Sequence, residues 1–372
     1  MNLRVLLVVI APIAVAMSAC STRAVPVGMR TYYIAADEVM WDYAPSGRDL
    51  MMGGPLDTME FDIGNGPAVT ARTFRKAVYR EYTDSTFTTA TPRRPEWEHL
   101  GILGPVLHAQ VGDTIRVVFR NHARYAFSVH PHGVFYNKGA EGAVYDDGTA
   151  TADKLDDAVP PGGTHTYAWA VPERAGPGPN DPSSIVWPYH SHTHEWRDVN
   201  AGLIGAIIVA RRGQLTASGL PKGIDRELVV LFGVFNEMES RFTPDNLRAY
   251  TRDTLRRSAK GPITFSGVGL QTINGWMFGN LPVASLTIHP GQHVRWYLIS
   301  GTNADDFHAP HWHGATVLIA GQRTDLANLA VPLSTVTADM IVDVPGTWLF
   351  HCHVAEHMQA GMTARFAAEE GR

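Results

Sequence analysis

The sequence predicts an all-β protein made of two β-sandwich domains. Its apolar runs are short, they alternate or stay continuous for about one strand's length, and Gly and Pro separate them. With 35 Gly and 24 Pro in 372 residues, helix signals are few. One ordered set of motifs also occurs twice, which points to two domains on one plan. At about 150 residues per domain the length agrees. The chain is 45% hydrophobic and 18% charged, enough to build real cores, and a net charge of -5 argues against a nucleic-acid partner.

Residues 1–20 stand outside this plan. MNLR is short and basic, and residues 6–17, LLVVIAPIAVAM, are apolar. That is the length of a signal-peptide core and too short for a comfortable membrane span. The small residues Ser18 and Ala19 precede Cys20, as at the cleavage and acylation site of a bacterial lipoprotein. The expectation is an exported protein, periplasmic or in the cell envelope, attached to a membrane only through a lipid on Cys20. Of the 2 Cys, Cys352 then has no partner for an intrachain disulfide. A lone thiol in an oxidising compartment is a liability unless it is buried or bound.

The first domain is expected over residues 21–213. DTIRVVFR (113–120) and GAIIVA (205–210) read as its strands, and PERAGPGPNDPSS (172–184) as a loop. A linker follows at 214–226, inside the polar, Gly- and Pro-bearing stretch after GAIIVA. The second domain, 227–372, carries the strand HVRWYLIS (293–300). In the first half VGDTIRVVFR precedes HPHG (130–133), and WPYHSH (187–192) follows. In the second half PGQHVRWYLI precedes HWHG (311–314), and WLFHCH (348–353) follows.

Side-chain parity sorts the histidines. On a strand, residues i and i+2 share a face and i+1 takes the other. The pairs His130/His132, His190/His192, His311/His313 and His351/His353 each present two imidazoles to one side, eight in all, suited to several ions of copper, zinc, iron or nickel. Cys352 points away from its neighbours and belongs to a separate site. His308 has the parity to join it, and His357 and Met362 follow. Two His, one Cys and a weak axial Met make a blue-copper electron-transfer site. In the first half the repeat puts Phe127, Ser191 and Leu203 at the positions of His308, Cys352 and Met362, so no such copper is expected there. His194 is expected in the loop beyond its strand. His99, His108, His122, His165, His289 and His293 lack partner spacing and are expected to be structural or at the surface.

HPHG, HSH, HAPHWH and HCHVAEHMQAGM together resemble the multicopper oxidases. TYYIAADEVMWDYAP (31–45), AVYREYTDSTF (77–87), HPHGVFYNKGAEGAVY and INGWMFGNL (273–281) resemble the ceruloplasmin and hephaestin branch, whereas the two-domain length resembles the small laccases. The resemblance implies two cupredoxin-like Greek-key sandwiches and four coppers per chain. His308, Cys352, His357 and Met362 would hold the type 1 copper, and His130 and His311 the type 2 copper. His132, His190 and His353 would hold one type 3 copper, and His192, His313 and His351 the other. It further implies that a small reducing substrate gives electrons at the type 1 site and that dioxygen is reduced to water at the three-copper cluster. In two-domain relatives that cluster forms between subunits of a homotrimer, and the same self-association is expected here.

For the reducing substrate, the resemblance places a carboxylate for ferrous iron at Glu356. It places a Glu and a His of the iron site where this chain has Ser266 and Gln271. The sequence therefore favours organic donors, phenols or aromatic amines as for a laccase, with Glu356 accepting a phenolic proton. An oxidase of Fe(II), Cu(I) or Mn(II) is the alternative, and a copper nitrite reductase fits the eight histidines less well. Asp305 and Asp306 are acids near the coppers with no assigned role.

Overall fold

The computed structural model describes residues 25–56, 72–246, 248–249, 269–302 and 307–369. Residues 1–20 with Cys20, and Ser266, Asp305 and Asp306, lie outside them. Four sheets carry the chain. The first has the order β2 (Thr73–Tyr82), β1 (Met29–Asp42), β4 (Thr114–Asn121), β6 (Thr164–Ala170). Facing it is β3 (Val106–Gln110), β8 (Ile204–Ala210), β7 (Ser184–His190), β5 (His130–Pro131). After residue 225 the plan repeats. The third sheet is β10 (Gly269–Ile273), β9 (Arg226–Asn236), β12 (His293–Ser300), β16 (Thr335–Ile341), β14 (Val317–Ile319), β15 (Gln322–Thr324). The fourth is β11 (Thr287–Ile288), β18 (Thr363–Ala368), β17 (Gly346–Cys352), β13 (Pro310–Trp312).

The sheets are not purely antiparallel, as the short-strand pattern alone suggests. Each holds one parallel pair: β1 with β4, β3 with β8, β9 with β12 and β11 with β18. Greek-key crossings cause this, because a strand that returns over the end of the sandwich lies beside one running its own way. Such pairing cannot be read from residue alternation.

Each half has its own core. Ile34, Tyr79, Ile115, Val117, Trp169, Ile207 and Val209 fill the first, and Leu228, Val230, Trp296, Trp312, Phe350 and Cys352 the second. A third cluster joins Ile204 and Ile208 to Val229, Leu231, Tyr297 and Ile299. β8 and β9 therefore bury both faces, which explains their unbroken apolar sequences. Burial of apolar area stabilises by about 25 cal/mol per Å², so this third cluster is a stabilising core between the halves. It holds β7, which ends in His190, against the second half.

Candidate metal centre

The ends of four strands place the ligand candidates. In β5 and β7, His130 lies opposite His190; in β13 and β17, His311 lies opposite His351 and Pro310 opposite Cys352. The residue after each first pair is a glycine with positive φ, Gly133 at 71° and Gly314 at 66°. A Cβ on Gly133 would run into the Trp187 ring, and one on Gly314 into the Trp348 ring. The H-x-H-G motif and the Trp of WPYHSH or WLFHCH are thus one packing unit: the turn needs the left-handed conformation, and the indole needs the missing methyl.

His308, Cys352 and His357 converge. The Cys352 Sγ lies 3.8 Å from His308 Nδ1 and 3.7 Å from His357 Nδ1, and the two Nδ1 atoms are 3.2 Å apart. All three residues are buried. Met362 is wholly buried in the same core cluster, and its carbonyl accepts the Cys352 N–H at 3.2 Å. Burial pushes the Cys352 thiol up, so a thiolate there calls for a cation beside it. Two imidazoles and one buried sulfur form a soft donor set that suits copper, and Met362 lies in the same core.

The first four pair histidines also cluster. His132 Nε2 and His190 Nε2 are 3.0 Å apart, and the His130 ring lies 5.4 Å from His132 and 5.1 Å from His192. In the second half His313 Nε2 is 3.2 Å from His351 Nε2, with His311 and His353 packed against them. Burial lowers His132 to about 4 and His190 to about 3, so these rings are neutral and free to ligate at pH 7. His190 Nδ1 and His351 Nδ1 face the carbonyls of Ser191 and Cys352, which fixes their orientation and leaves Nε2 for a metal. Among the described residues, no ring contact or hydrogen bond joins the first four histidines to the second four. His313 and His353 are exposed.

The repeat substitutions explain why the first half lacks the sulfur site. Phe127, Ser191 and Leu203 are all wholly buried where His308, Cys352 and Met362 stand in the second half. The backbone frame persists: Ser191 N–H donates to Leu203 O at 3.2 Å, as Cys352 N–H does to Met362 O. The Ser191 hydroxyl donates to Asp198 at 2.7 Å. Arg241, reaching over from the segment after β9, sits 3.6 Å from Asp198 and over the rings of Tyr125 and Phe127 at 5.1 and 6.0 Å. A guanidinium and its carboxylate thus lie against Phe127 and Ser191, and no spacing in the sequence announces that.

The sequence missed other neighbours. Glu195 opens the helix Glu195–Asn200 and places Oε2 3.2 Å from His192 Nε2, a contact that must open for that nitrogen to ligate. Asp325 lies 3.6 Å from His311 Nε2, and the Tyr136 ring packs on His130 at 5.8 Å. His194 precedes the helix and is exposed, as expected. The six remaining histidines are structural or at the surface: His99 is buried between the Glu96 carbonyl and the Val229 N–H, His108 pairs with Glu227 at 2.8 Å, and His289 is exposed. Glu356 is exposed in the helix Ala355–Gln359 one residue before His357, and Phe307, also exposed, packs its ring 5.6 Å from that of His357.

A twofold sandwich with a buried His-Cys-His set and histidine pairs at its strand ends is the construction of a copper protein. Family models described as multicopper oxidase match residues 99–214 and 264–372, more than half of the chain, which therefore belongs to the multicopper oxidase family. That family comprises copper-dependent oxidoreductases that use oxygen. The chain is 39% identical to hephaestin of Rattus norvegicus over 347 residues, 38% to ferroxidase HEPHL1 of Mus musculus over 342, and 37% to ceruloplasmin of Homo sapiens over 355. These alignments cover 92%, 91% and 92% of this chain but only 29%, 29% and 33% of the relatives. In fold it is similar to the crystal structure of a multicopper oxidase, with TM-score 0.54, 19% identity and coverage of 92% and 89%. It is also similar to a copper nitrite reductase from Nitrosomonas europaea, with TM-score 0.56, 18% identity and coverage of 92% and 94%.

Proposed function

We propose that this protein is an oxidase that takes electrons one at a time from a small reducing substrate and passes four to dioxygen, yielding water. The observation that supports this best is the Cys352 junction. Its side chain belongs to the sulfur site, while its covalent neighbours His351 and His353 belong to the histidine cluster, so a single backbone segment links the place of oxidation to the place of reduction. Four coppers per chain fit these donors: type 1 on His308, Cys352, His357 and Met362; type 2 on His130 and His311; type 3 on His132, His190 and His353 and on His192, His313 and His351. When bound, they supply one-electron redox chemistry and a site for oxygen.

The chain's own residues do the rest. Buried Phe232 packs beside His308, with buried Phe350 behind it, and the pair keeps water from the sulfur site. His357, through its neighbours Phe307 and Glu356, offers the route by which a donor reaches that site. The cluster needs histidines from both halves. The separation of the two sets within one chain, and the exposure of His313 and His353, favour a ring of three chains in which each cluster forms between neighbours. Sedimentation of a copper-loaded, active monomer would rule the ring out.

The names of the relatives favour a metal ion as donor, and ferrous iron comes first, with the exposed Glu356 carboxylate holding the cation beside His357. This reverses the order expected from Ser266 and Gln271 alone. Gln271 is part-buried in β10 with its amide oxygen lacking a hydrogen-bond partner, so that position still offers a hard oxygen ligand. Phenols or aromatic amines are the second reading, supported by the Phe307 ring beside His357. Oxygen uptake by the copper-loaded protein decides: saturable, faster uptake with ferrous iron than with a phenol supports the metal-ion oxidase, the reverse supports the laccase-like reading, and no uptake with either refutes both.

A further inference from the structure

His190 ends β7 and His192 lies just past it, so the chain between them must be held by something other than the ladder. The second half shows one way. There Cys352 Sγ accepts the Ala309 N–H at 3.4 Å, and the His353 N–H donates to the Ala309 carbonyl at 2.8 Å. In the first half Ser191 Oγ accepts the Ser128 N–H at 3.1 Å, and the His192 N–H donates to Ser128 Oγ at 3.0 Å. The frame is alike, but its anchor is not. A thiolate with two imidazoles can be tied to a metal, whereas Phe127, Ser191 and Leu203 offer no such donor set.

Ser191 is tied to Asp198 instead. One oxygen, Oδ2, accepts both the Ser191 hydroxyl at 2.7 Å and the His194 N–H at 2.9 Å. Points on both sides of His192 therefore hang on one atom. Oδ1 has no hydrogen-bond partner among the described residues, and Arg241 stands 3.6 Å from it. Arg241 comes from the second half, on a segment fixed by Phe242 in the first core and by the Arg241 N–H, which donates to the Arg197 carbonyl at 3.2 Å. Asp198 is wholly buried. A buried carboxylate with one oxygen unbonded costs stability, and an apolar side chain of similar volume is often as stable or more so. Filling space therefore does not account for this residue, and holding the turn around His192 does.

We propose that Asp198 is a positioning residue for the histidine cluster. It fixes Ser191 and, through Ser128, the main chain of His192, so that both histidines keep the geometry that metal binding needs. This rests on the copper reading above. The test compares two copper-loaded chains in which Arg241→Met has removed the charge partner. Asp198→Asn keeps an oxygen for both hydrogen bonds, and Asp198→Ala keeps neither. Each is titrated with a chelator, and copper content after dialysis is followed beside the blue absorption. In the Asp198→Ala chain the chelator concentration that strips the cluster should fall by about tenfold or more relative to the Asp198→Asn chain. The blue absorption should be lost at the same concentration in both. Ser191→Ala alone leaves Asp198 its contacts with His194 and Arg241; it should weaken the cluster selectively too, and it serves if Asp198→Ala does not fold. Arg295→Met breaks a buried pair with Asp339 that includes no ligand, and shows what lost stability does by itself. Equal retention of cluster copper in the two Asp198 chains, or loss of cluster and blue copper in step as in Arg295→Met, would overturn the proposal while the copper reading stands. A parent chain that takes up no copper beyond the blue site would refute the copper reading, and the proposal with it.

Discussion

Lys76→Met is expected to weaken the fold by about 3–4 kcal/mol at pH 7, and much less in acid. Lys76 is wholly buried, ion-paired with Glu237, and donates to the Asn200 carbonyl at 2.6 Å. Its ammonium also sits over the rings of Tyr43 and Phe235 at 5.2 and 4.8 Å. Tyr43 donates to Glu237 Oε1 at 2.6 Å, and Oε2 has no hydrogen-bond partner. Removing one member of a buried pair costs about 3–5 kcal/mol because the other charge is stranded. Protonation sets a ceiling: neutralising a Glu of ordinary pKa near 4.3 at pH 7 costs about 3.7 kcal/mol, at about 1.36 kcal/mol per unit. Burial already pushes Glu237 upward, and without Lys76 nothing holds it down except Tyr43. In the variant the folded-state pKa of Glu237 therefore lies above its unfolded value. Its contribution is fully present below about pH 4.3 and is lost as pH rises through the folded value. At pH 5 the loss should shrink to about 1 kcal/mol. Urea unfolding of parent and variant at pH 5 and pH 7 measures this. Adding Glu237→Gln to the variant should remove the pH dependence of the difference. A loss below about 1 kcal/mol at pH 7, or one that does not change with pH, would refute the reasoning.

Other outcomes follow from the same geometry. Cys352→Ser should abolish the intense blue thiolate-to-copper absorption and lower the copper content by one per chain while the histidine cluster still takes up metal, as elemental analysis would show. Gly314→Ala should cost about 2–4 kcal/mol in urea unfolding, since it combines a positive φ with a methyl forced into the Trp348 ring; an unaffected midpoint would contradict the packing account. Arg241→Met should destabilise by about 2–3 kcal/mol by stranding buried Asp198, and Asp198→Asn in the same chain should recover most of that. Glu356→Gln should raise the KM for ferrous iron by about tenfold with the blue absorption unchanged, because its carboxylate is exposed to solvent beside His357.

By itself the sequence determined the all-β class and the duplicated plan, and it nominated the atoms that could meet metal. Those are local properties. Period-2 geometry sends His351 and His353 one way and Cys352 the other, and a glycine after each first H-x-H pair marks the turn. The loss of the sulfur site in the first half was also legible, because Phe127, Ser191 and Leu203 cannot serve as such ligands whatever surrounds them. Tertiary structure alone decided the rest. Parallel pairs such as β9 with β12 join segments far apart in sequence, and no alternation records them. Arg241 set against Asp198, and Lys76 and Tyr43 meeting Glu237 across the halves, both depend on which distant groups arrive nearby. Burial then sets their energies: the same lysine or glutamate in water would cost nothing, and only the folded chain determines how much water each keeps.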